Sequence, residues 1–229
     1  MGHSRLHKVE LEKLGHYFDR IRTSGSRLLM LLNDMLNLSK LESGKMEFLM
    51  QQGDLVDIIQ RATEELETLI TDRALKVIVE ATDLDTVTYF DAEKMLQVMI
   101  NLLSNAIKFT PKGKQITIFF DPHTSAQPQS LKRQTNLLTI VVDDQGIGIP
   151  EGEEGAIFDK FIQSSKTNTG AGGTGLGLSI VKEIVQAHHG YVAASANAHG
   201  GARFRLSLPI ISHPTPQIDP KPKTEVDFF

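Results

Sequence analysis

Polar side chains recur at one-turn spacing in an otherwise apolar segment that begins at Met95. The recurring residues are Gln97, Asn101, Asn105 and Lys108. Their spacings of 4, 4 and 3 positions place them on one face of a helix. Exposed helix faces usually carry Glu, Lys and Gln, whereas an asparagine oxygen suits Mg²⁺ and a lysine suits a phosphate. The stripe is therefore either an ordinary solvent face or a site for a metal and phosphate groups.

A second candidate site lies at the end of an apolar segment that finishes in Asp143 and Asp144. Gly146 and Gly148 follow, and glycine lets the backbone turn tightly and approach a flat ligand. A carboxylate at a strand end can accept a hydrogen bond from an exocyclic amine. The same residues also fit an ordinary Asp-Gly turn, so this segment alone leaves both interpretations open.

Glycines are concentrated again over Gly170–Gly177, immediately before a predicted helix. Backbone N–H groups at a helix N-terminus form an anion site. Gly170, Gly172 and Gly175 match the spacing of the dinucleotide-binding pattern. That pattern also requires a strand before the glycines and an acidic residue about 20 residues later, at the end of a second strand, and the sequence has neither. A P-loop is excluded because no Gly-Lys pair is followed by Ser or Thr. The polar run Ser164–Gly173 lacks apolar anchors and is predicted to be a mobile lid.

Strands and helices that could position these residues alternate after residue 45. The pattern predicts strands over Met46–Gln51, Leu75–Val79, Ile116–Phe120, Leu137–Val142, Tyr191–Ala196 and Ala202–Leu208. It predicts helices over Leu55–Asp72 after an Asp54 cap, from an Asp91 cap to about Thr110, and over Leu178–His188. The polar stretch His123–Asn136 is predicted to be a hairpin excursion. We expect an α/β (α+β) two-layer sandwich, a mixed sheet with helices on one face.

The segment before residue 45 predicts one long helix. Apolar or small residues recur at 11, 14, 18, 21, 25, 28, 32 and 35, the spacing of a heptad seam. Further leucines widen this stripe, which favours a bundle. A helix over residues 10–43, ended by Gly44, would be about 50 Å long. The chain has too few other residues nearby to cover the apolar stripe of such a helix. We therefore expect a partner chain or a sister helix to pack against it.

Composition limits the functional classes. The chain has 229 residues, 40% of them hydrophobic, and a net charge of −4, which indicates no basic surface for nucleic acid. The absence of cysteine excludes disulfides, thiolate zinc sites and thiol nucleophiles. No apolar run approaches the ~18 residues of a membrane helix. We expect a cytoplasmic chain that is not inserted in a membrane, alone or as part of a larger, membrane-anchored protein.

Four segments, taken together and in order, resemble the N, G1, F and G2 boxes of sensor histidine kinases. They are Asn101–Phe109, Asp144–Gly148, Ile157–Phe161 and Gly173–Leu178. This family belongs to the superfamily that contains the Hsp90, gyrase and MutL ATP-binding domains. Upstream, three segments resemble the second helix of the dimerisation and phosphotransfer domain and its link to the catalytic domain; they are Ile21–Gly25, Asn33–Leu36 and Leu38–Lys45. The resemblance implies a truncated dimerisation domain over 1–44, a catalytic domain over 45–210 and a Pro-rich flexible tail over 211–229.

The resemblance also implies ATP and Mg²⁺ as cofactors and gives roles to single residues. Asn105 would hold Mg²⁺, with Asn101 beside it and Lys108 on a phosphate. Asp144 would read the adenine amino group. Gly146 and Gly148 would lie against the base, Phe109 near the nucleoside, Phe158 and Phe161 at the base of the lid, and Gly173, Gly175 and Gly177 at the phosphates. Ile149, Thr174 and Leu176 complete the implied ATP-binding set.

Two departures from the family pattern stand out. Gln163 occupies a position where such kinases carry an arginine that contacts phosphate, and either Lys160 or Lys166 would have to replace it. The family's acceptor histidine is followed by an acid and a Thr-Pro step, whereas His16 is followed by Tyr17 and Phe18. We therefore expect that this chain lacks the acceptor and does not phosphorylate itself. The pair His188-His189 is expected to be stabilised by the helix dipole rather than to bind metal.

The resemblance implies a protein-histidine kinase of a two-component phosphorelay, which transfers the γ-phosphoryl group of ATP to a histidine. Its partners would be a response regulator receiver domain, a dimer mate and the missing phosphotransfer helix, with no nucleic acid. Two alternatives stay open: an ATPase of the same superfamily and a non-catalytic, nucleotide-sensing dimerisation module. Hydrolysing members carry a glutamate base one turn before the Mg²⁺ asparagine, where this chain has Asn101.

Overall fold

The computed structural model of the chain describes residues 2–122, 137–166 and 174–210. Several expectations lie outside these residues. They are the excursion over His123–Asn136, the position of Gly173 with most of the lid, and the tail over 211–229.

Helix α1 (Gly2–Glu42) begins earlier than predicted and has two apolar faces. One face packs on the rest of the chain through buried Leu38 and half-buried Leu31 and Leu41. The other face, the heptad seam, is exposed at Leu14, Phe18, Ile21, Leu28, Leu32 and Met35. Gly44 has a φ of +64°, and its N–H donates to the Leu41 carbonyl, so the helix ends there as predicted.

A five-stranded mixed sheet runs in the order β2-β4-β5-β7-β6. Its strands are β2 (Lys76–Val79), β4 (Gln115–Asp121), β5 (Leu137–Asp144), β6 (Tyr191–Ala196) and β7 (Ala202–Pro209). Only the β2–β4 pair is parallel. Alternate residues of β4, such as Ile116 and Ile118, are buried, as expected for a sheet covered on one face.

The covering layer consists of helices α2 (Leu55–Glu65), α3 (Glu67–Asp72), α4 (Ala92–Phe109) and α5 (Gly177–Ala187). Helix α4 lies in the middle and contacts α2, α5 and β5. Its buried Met95, Met99 and Leu102 form the centre of the core. The Asp54 and Asp91 side chains accept hydrogen bonds from the first turns of α2 and α4. This architecture confirms the expected two-layer fold.

Two local predictions are wrong in position, and one strand was not predicted. The first strand is β1 (Gln51–Asp54) rather than Met46–Gln51, and it pairs antiparallel with β3 (Val87–Phe90), which the sequence analysis missed. The Leu49 N–H donates to the Asp91 carboxylate at 2.9 Å, outside any strand ladder. The predicted single helix over Leu55–Asp72 is interrupted at Leu66, where the φ and ψ angles of −97° and 5° leave the helical range.

His188 joins the C-terminus of α5 to the N-terminus of α4. Its Nδ1 lies 2.7 Å from the Ile184 carbonyl, and its Nε2 accepts the Asp91 N–H at 3.0 Å. The ring is therefore neutral, with its proton on Nδ1. Burial lowers the pKa of His188, although the Ile184 carbonyl and Asp91 oppose this shift. His188 is therefore held by these two hydrogen bonds rather than by the helix dipole alone, because a buried acceptor nitrogen cannot carry a proton without losing its bond.

This geometry predicts a loss of stability on mild acidification. A histidine whose pKa is depressed in the fold stabilises it fully above the unfolded pKa and less as pH falls through that value. As pH falls below about 6.5, the pKa of a histidine in an unfolded chain, the free energy of unfolding should fall by up to about 1.4 kcal/mol per pH unit. Urea titrations at several pH values should show a smaller slope for His188→Gln than for the wild type. The exposed-residue control His16→Gln should keep the wild-type slope; equal slopes in all three proteins would contradict the assignment.

Candidate nucleotide-binding site

A cavity of about 390 Å³ opens between α4, the end of β5, the start of α5 and α1. Many of the sequence-predicted site residues line it. They are Asn101, Asn105, Lys108, Phe109, Asp144, Gly148, Ile149, Thr174, Gly175 and Gly177. Ile157 lines it as well, so the structure brings residues from all four boxes to one pocket, although the ten residues above are separated by up to 76 positions in the chain.

Four described members of the predicted set do not line the cavity. Gly146 lies behind Asp144, and Leu176 is fully buried in the core. Phe158 is buried, with its ring edge-on to Phe204 at a centroid distance of 6.4 Å. Phe161 is 58% exposed and has a φ of +61°, and its predicted place at the base of the lid stays a prediction. Its N–H donates to the Gly175 carbonyl at 3.0 Å.

The Asp144 carboxylate is the most constrained group of the pocket. It is 3% exposed, and its Oδ1 accepts the N–H groups of Gly146 at 2.8 Å and Ala202 at 3.1 Å. No described residue donates to Oδ2. Burial raises the pKa of Asp144, which the two backbone hydrogen bonds oppose and nearby Asp143 reinforces. A buried carboxylate with one oxygen unpaired favours a ligand that donates a hydrogen bond.

Gly146 and Gly148 are required by close backbone contacts at this end of the pocket. A Cβ atom on Gly146 would lie 2.7 Å from Asp144 Oδ1 and 2.8 Å from the Phe109 carbonyl oxygen. Gly148 has a φ of +69°, and a Cβ atom there would meet the Gly200 carbonyl. The segment after Asp144 therefore has no room for side chains at these positions.

Other lining residues of the pocket are polar. Asn105 and Lys108 line it from α4, and Gly177, the first residue of α5, lines it as well. Asn101 Nδ2 donates to the Gly177 carbonyl at 3.3 Å and so ties the two helices together. Burial and nearby Arg73 lower the pKa of Lys108. A lysine and the N-terminus of a helix both suit an anion such as a phosphate.

Two residues of α1, Met30 and Asp34, also line the cavity and were missed from the sequence. Asp34 Oδ2 accepts a hydrogen bond from Thr174 Oγ1 at 3.2 Å. Burial raises the pKa of Asp34, an effect that the Thr174 bond opposes. In the sequence, the only indication that this face of α1 contacts the site is that Asp34 lies about one helical turn before the apolar Leu38.

Neither lysine proposed to replace the family arginine lines the cavity, whereas Gln163 does. Lys160 forms an ion pair with Glu42 at the end of α1. Lys166 Nζ donates to the Ile147 carbonyl at 3.1 Å, directly beside the G1 segment. The choice between these lysines stays a prediction.

Residues 90–212 match the sequence profile of the family described as "Histidine kinase-, DNA gyrase B-, and HSP90-like ATPase". This match spans more than half of the 229 residues. The chain belongs to this ATPase family.

Relatives of this ATPase chain are histidine kinases. Hybrid signal transduction histidine kinase D of Dictyostelium discoideum is 36% identical over 193 residues, covering 84% of this chain and 12% of that protein. Sensor histidine kinase WalK of Bacillus subtilis is 34% identical over 184 residues, covering 80% of this chain and 28% of that protein. The chain thus spans less than a third of the length of either relative.

The fold of the ATPase domain is shared with a solved histidine kinase. Full-length ShkA in complex with AMPPNP superposes with a TM-score of 0.69 at 24% identity, covering 85% of this chain and 38% of that one. No helix in the described part of the chain is long and apolar enough to cross a membrane.

The placement of Asp34 predicts that Asp34→Asn tightens nucleotide binding. The ionised carboxylate repels the phosphates of a nucleotide in the same pocket, so its neutralisation should raise the affinity for MgATP about two- to fivefold, less at high salt. Calorimetric titration at two ionic strengths measures this. Asp19→Asn, an equal charge change on an exposed part of α1, is the control. Equal affinities of both variants would contradict a role for Asp34 at the pocket.

Proposed function

We propose that the chain is the ATP-binding catalytic part of a sensor histidine kinase and transfers the γ-phosphoryl group of ATP to a histidine. The observation that carries this proposal is the buried Asp144 carboxylate, held through Oδ1 with Oδ2 available to an exocyclic amine. The same cavity is lined by Asn105 and Lys108, which suit a nucleotide's phosphates. The complex of the structurally similar ShkA with AMPPNP supports the same ligand class.

In this proposal, adenine lies beside Asp144, and its amino group donates to Oδ2. Gly146 and Gly148 allow the close backbone packing around Asp144, and Gly148 and Ile149 line the pocket where the flat base would lie. The phosphates point toward Lys108 and toward the backbone at Gly175 and Gly177. Positioning and charge neutralisation then account for most of the catalysis.

The donor set of the pocket fits Mg²⁺ bound together with a nucleotide. The described residues contain no group of three or more His, Asp or Glu side chains that could hold a metal ion. Mg²⁺ usually keeps several waters and uses one or two protein ligands plus phosphates, so the Asn105 amide oxygen is a sufficient protein ligand. When bound, Mg²⁺ neutralises phosphate charge during transfer.

The polar residues of α4 favour phosphoryl transfer over hydrolysis. A water nucleophile needs a general base, and an asparagine amide at the Asn101 position cannot accept a proton at neutral pH. Asn101 is also occupied by its hydrogen bond to the Gly177 carbonyl. A histidine nitrogen needs no such base, because it is itself the nucleophile.

The domain boundaries and partners belong to the same proposal. We assign residues 1–44 to the dimerisation helix, 45–210 to the catalytic domain and 211–229 to a flexible tail. The exposed heptad seam of α1 fits a dimer mate and a phosphotransfer helix. The phosphorylated histidine would pass its phosphoryl group to a response regulator receiver domain in the cytoplasm, where ATP is supplied.

His16 is a poor candidate for the acceptor. It lies 14 positions before Met30, the first α1 residue at the pocket. On a straight helix this separation is about 21 Å, far beyond the distance at which a nucleophile can attack a phosphate. Transfer within the 229-residue chain through His16 is therefore not expected.

Incubation with γ-labelled ATP tests the proposed reaction. With MgATP and a separately purified phosphotransfer domain of a histidine kinase, acid-labile and base-stable label should appear on the added domain and not on the chain itself. Asn105→Ala should lower the labelling rate at least about tenfold, because a metal ligand is lost. The exposed Asn33→Ala on α1 is the control and should label at the wild-type rate.

Other outcomes of this experiment contradict parts of the proposal. Stoichiometric label on the chain alone, lost in His16→Gln, would show that His16 is the acceptor. Release of inorganic phosphate at the rate of ATP consumption would identify a hydrolase. Bound MgATP with no label on either protein would identify the nucleotide-sensing module.

A further inference from the structure

The turn between β6 and β7 is fastened to the end of β5 by one side chain, that of Asn197. Its Nδ2 donates to Asp143 Oδ1 at 2.6 Å and to the Asp144 carbonyl at 2.7 Å. Its Oδ1 accepts the N–H groups of His199 at 3.0 Å and Gly201 at 2.9 Å. The Asn197 amide thus uses both its donor and its acceptor atoms to join two segments that are distant in sequence.

This fastened turn carries one of the two donors that hold the Asp144 carboxylate. The donor is the Ala202 N–H, which follows Gly201 directly and reaches Asp144 Oδ1 at 3.1 Å. A Cβ atom on Gly201 would overlap the Asp144 carbonyl, so turn and strand lie in direct backbone contact. A displacement of the turn would therefore change the orientation of the carboxylate.

The partner of Asn197 on β5 is itself held in place. Asp143 Oδ2 accepts a hydrogen bond from the Arg203 guanidinium at 2.6 Å, while Oδ1 accepts from Asn197. The Arg203 guanidinium lies 5.8 Å from the centre of the Phe119 ring. The side chains of Asn197, Asp143 and Arg203 do not line the cavity. Their contacts therefore act on the site only through the backbone and through Asp144.

We propose that Asn197 is a positioning residue that sets the base selectivity of the pocket. By fixing the turn on β5, it keeps the Ala202 N–H on Asp144 Oδ1 and so presents Oδ2 to the amino group of adenine. This inference rests on the proposed function, in which Asp144 reads that group. An asparagine is needed because Nδ2 donates to three oxygens, the third being the Ala202 carbonyl at 3.3 Å, while Oδ1 accepts two N–H groups.

Substitutions of Asn197 should change base recognition more than phosphate recognition. Asn197→Ala removes all five side-chain hydrogen bonds, and Asn197→Asp cannot donate and repels Asp143. Both should lower the affinity for MgATP about tenfold. Affinity for MgGTP should change less than about twofold, because its phosphates meet the same α4 residues and its base lacks the 6-amino group. A purely structural role would lower the stability and weaken both ligands equally.

Calorimetric titration of each variant with MgATP and with MgGTP tests the inference through the ratio of the two affinities. The matched control is Thr139→Val, which removes a 2.8 Å hydrogen bond to Ser207 between β5 and β7 away from the cavity. It should lower the melting temperature and keep the wild-type ratio. Asn197→Ser, which keeps an acceptor and loses the amide donors, replaces Asn197→Ala if that variant does not fold.

A reduced ratio in the Asn197 variants with an unchanged ratio in Thr139→Val supports the inference. The Asp144→Asn variant separates it from the proposed function. If Asp144→Asn reduces the ratio and the Asn197 variants do not, Asn197 has no positioning role and the proposed function stands. If Asp144→Asn also keeps the wild-type ratio, Asp144 does not read the base, and both proposals are overturned.

Discussion

The desolvated carboxylate of Asp144 is the group on which the arrangement of this domain depends. An ionised carboxylate at 3% exposure is costly unless it is hydrogen-bonded, and burial accordingly raises its pKa. The fold satisfies one oxygen with two backbone N–H groups, from Gly146 and Ala202. The other oxygen is left to a ligand. A hydrogen-bond donor in the pocket thus relieves a cost that the empty protein bears.

The contacts around the pocket bring that carboxylate and the residues proposed to hold the phosphates into one cavity. Helix α4 lines this cavity, and its own N-terminus is fixed by Asp91 and by His188 from α5. The docking of α1 adds Asp34 at the pocket and an ion pair between Glu42 and Lys160. The proposed dimerisation helix therefore contacts the proposed nucleotide site directly.

Features with a local signal were predictable from the sequence. The stripe of Asn101 and Asn105 follows from helical spacing, and the Asp54 and Asp91 caps follow from the preference of aspartate for that position. The mixed sheet with helices on one face was predicted for the same reason, since its longer strands alternate between buried and half-exposed residues.

Features that depend on distant contacts were not predictable. Strand β3 has only four residues, and its identity as a strand comes from pairing with β1, 36 positions earlier. The heptad seam is the stronger pattern in α1, so the second face, on which Asp34 and Leu38 lie, was not predicted. Asn197 belongs to no recognised motif, and its importance appears only when the turn is seen against β5. The positive φ of Phe161 was not predictable either, because an ordinary residue gives no signal for it.

Deletion of the adenine amino group from the ligand tests the central claim most directly. Calorimetry should compare ATP with purine riboside triphosphate, which lacks the 6-amino group, on the wild type and on Asp144→Asn. The wild type should bind the analogue about tenfold or more weakly than ATP, because a hydrogen bond to a buried charged group is lost. In Asp144→Asn the two ligands should differ much less. Equal binding of both ligands by the wild type would show that Asp144 does not read the amino group and would contradict the account.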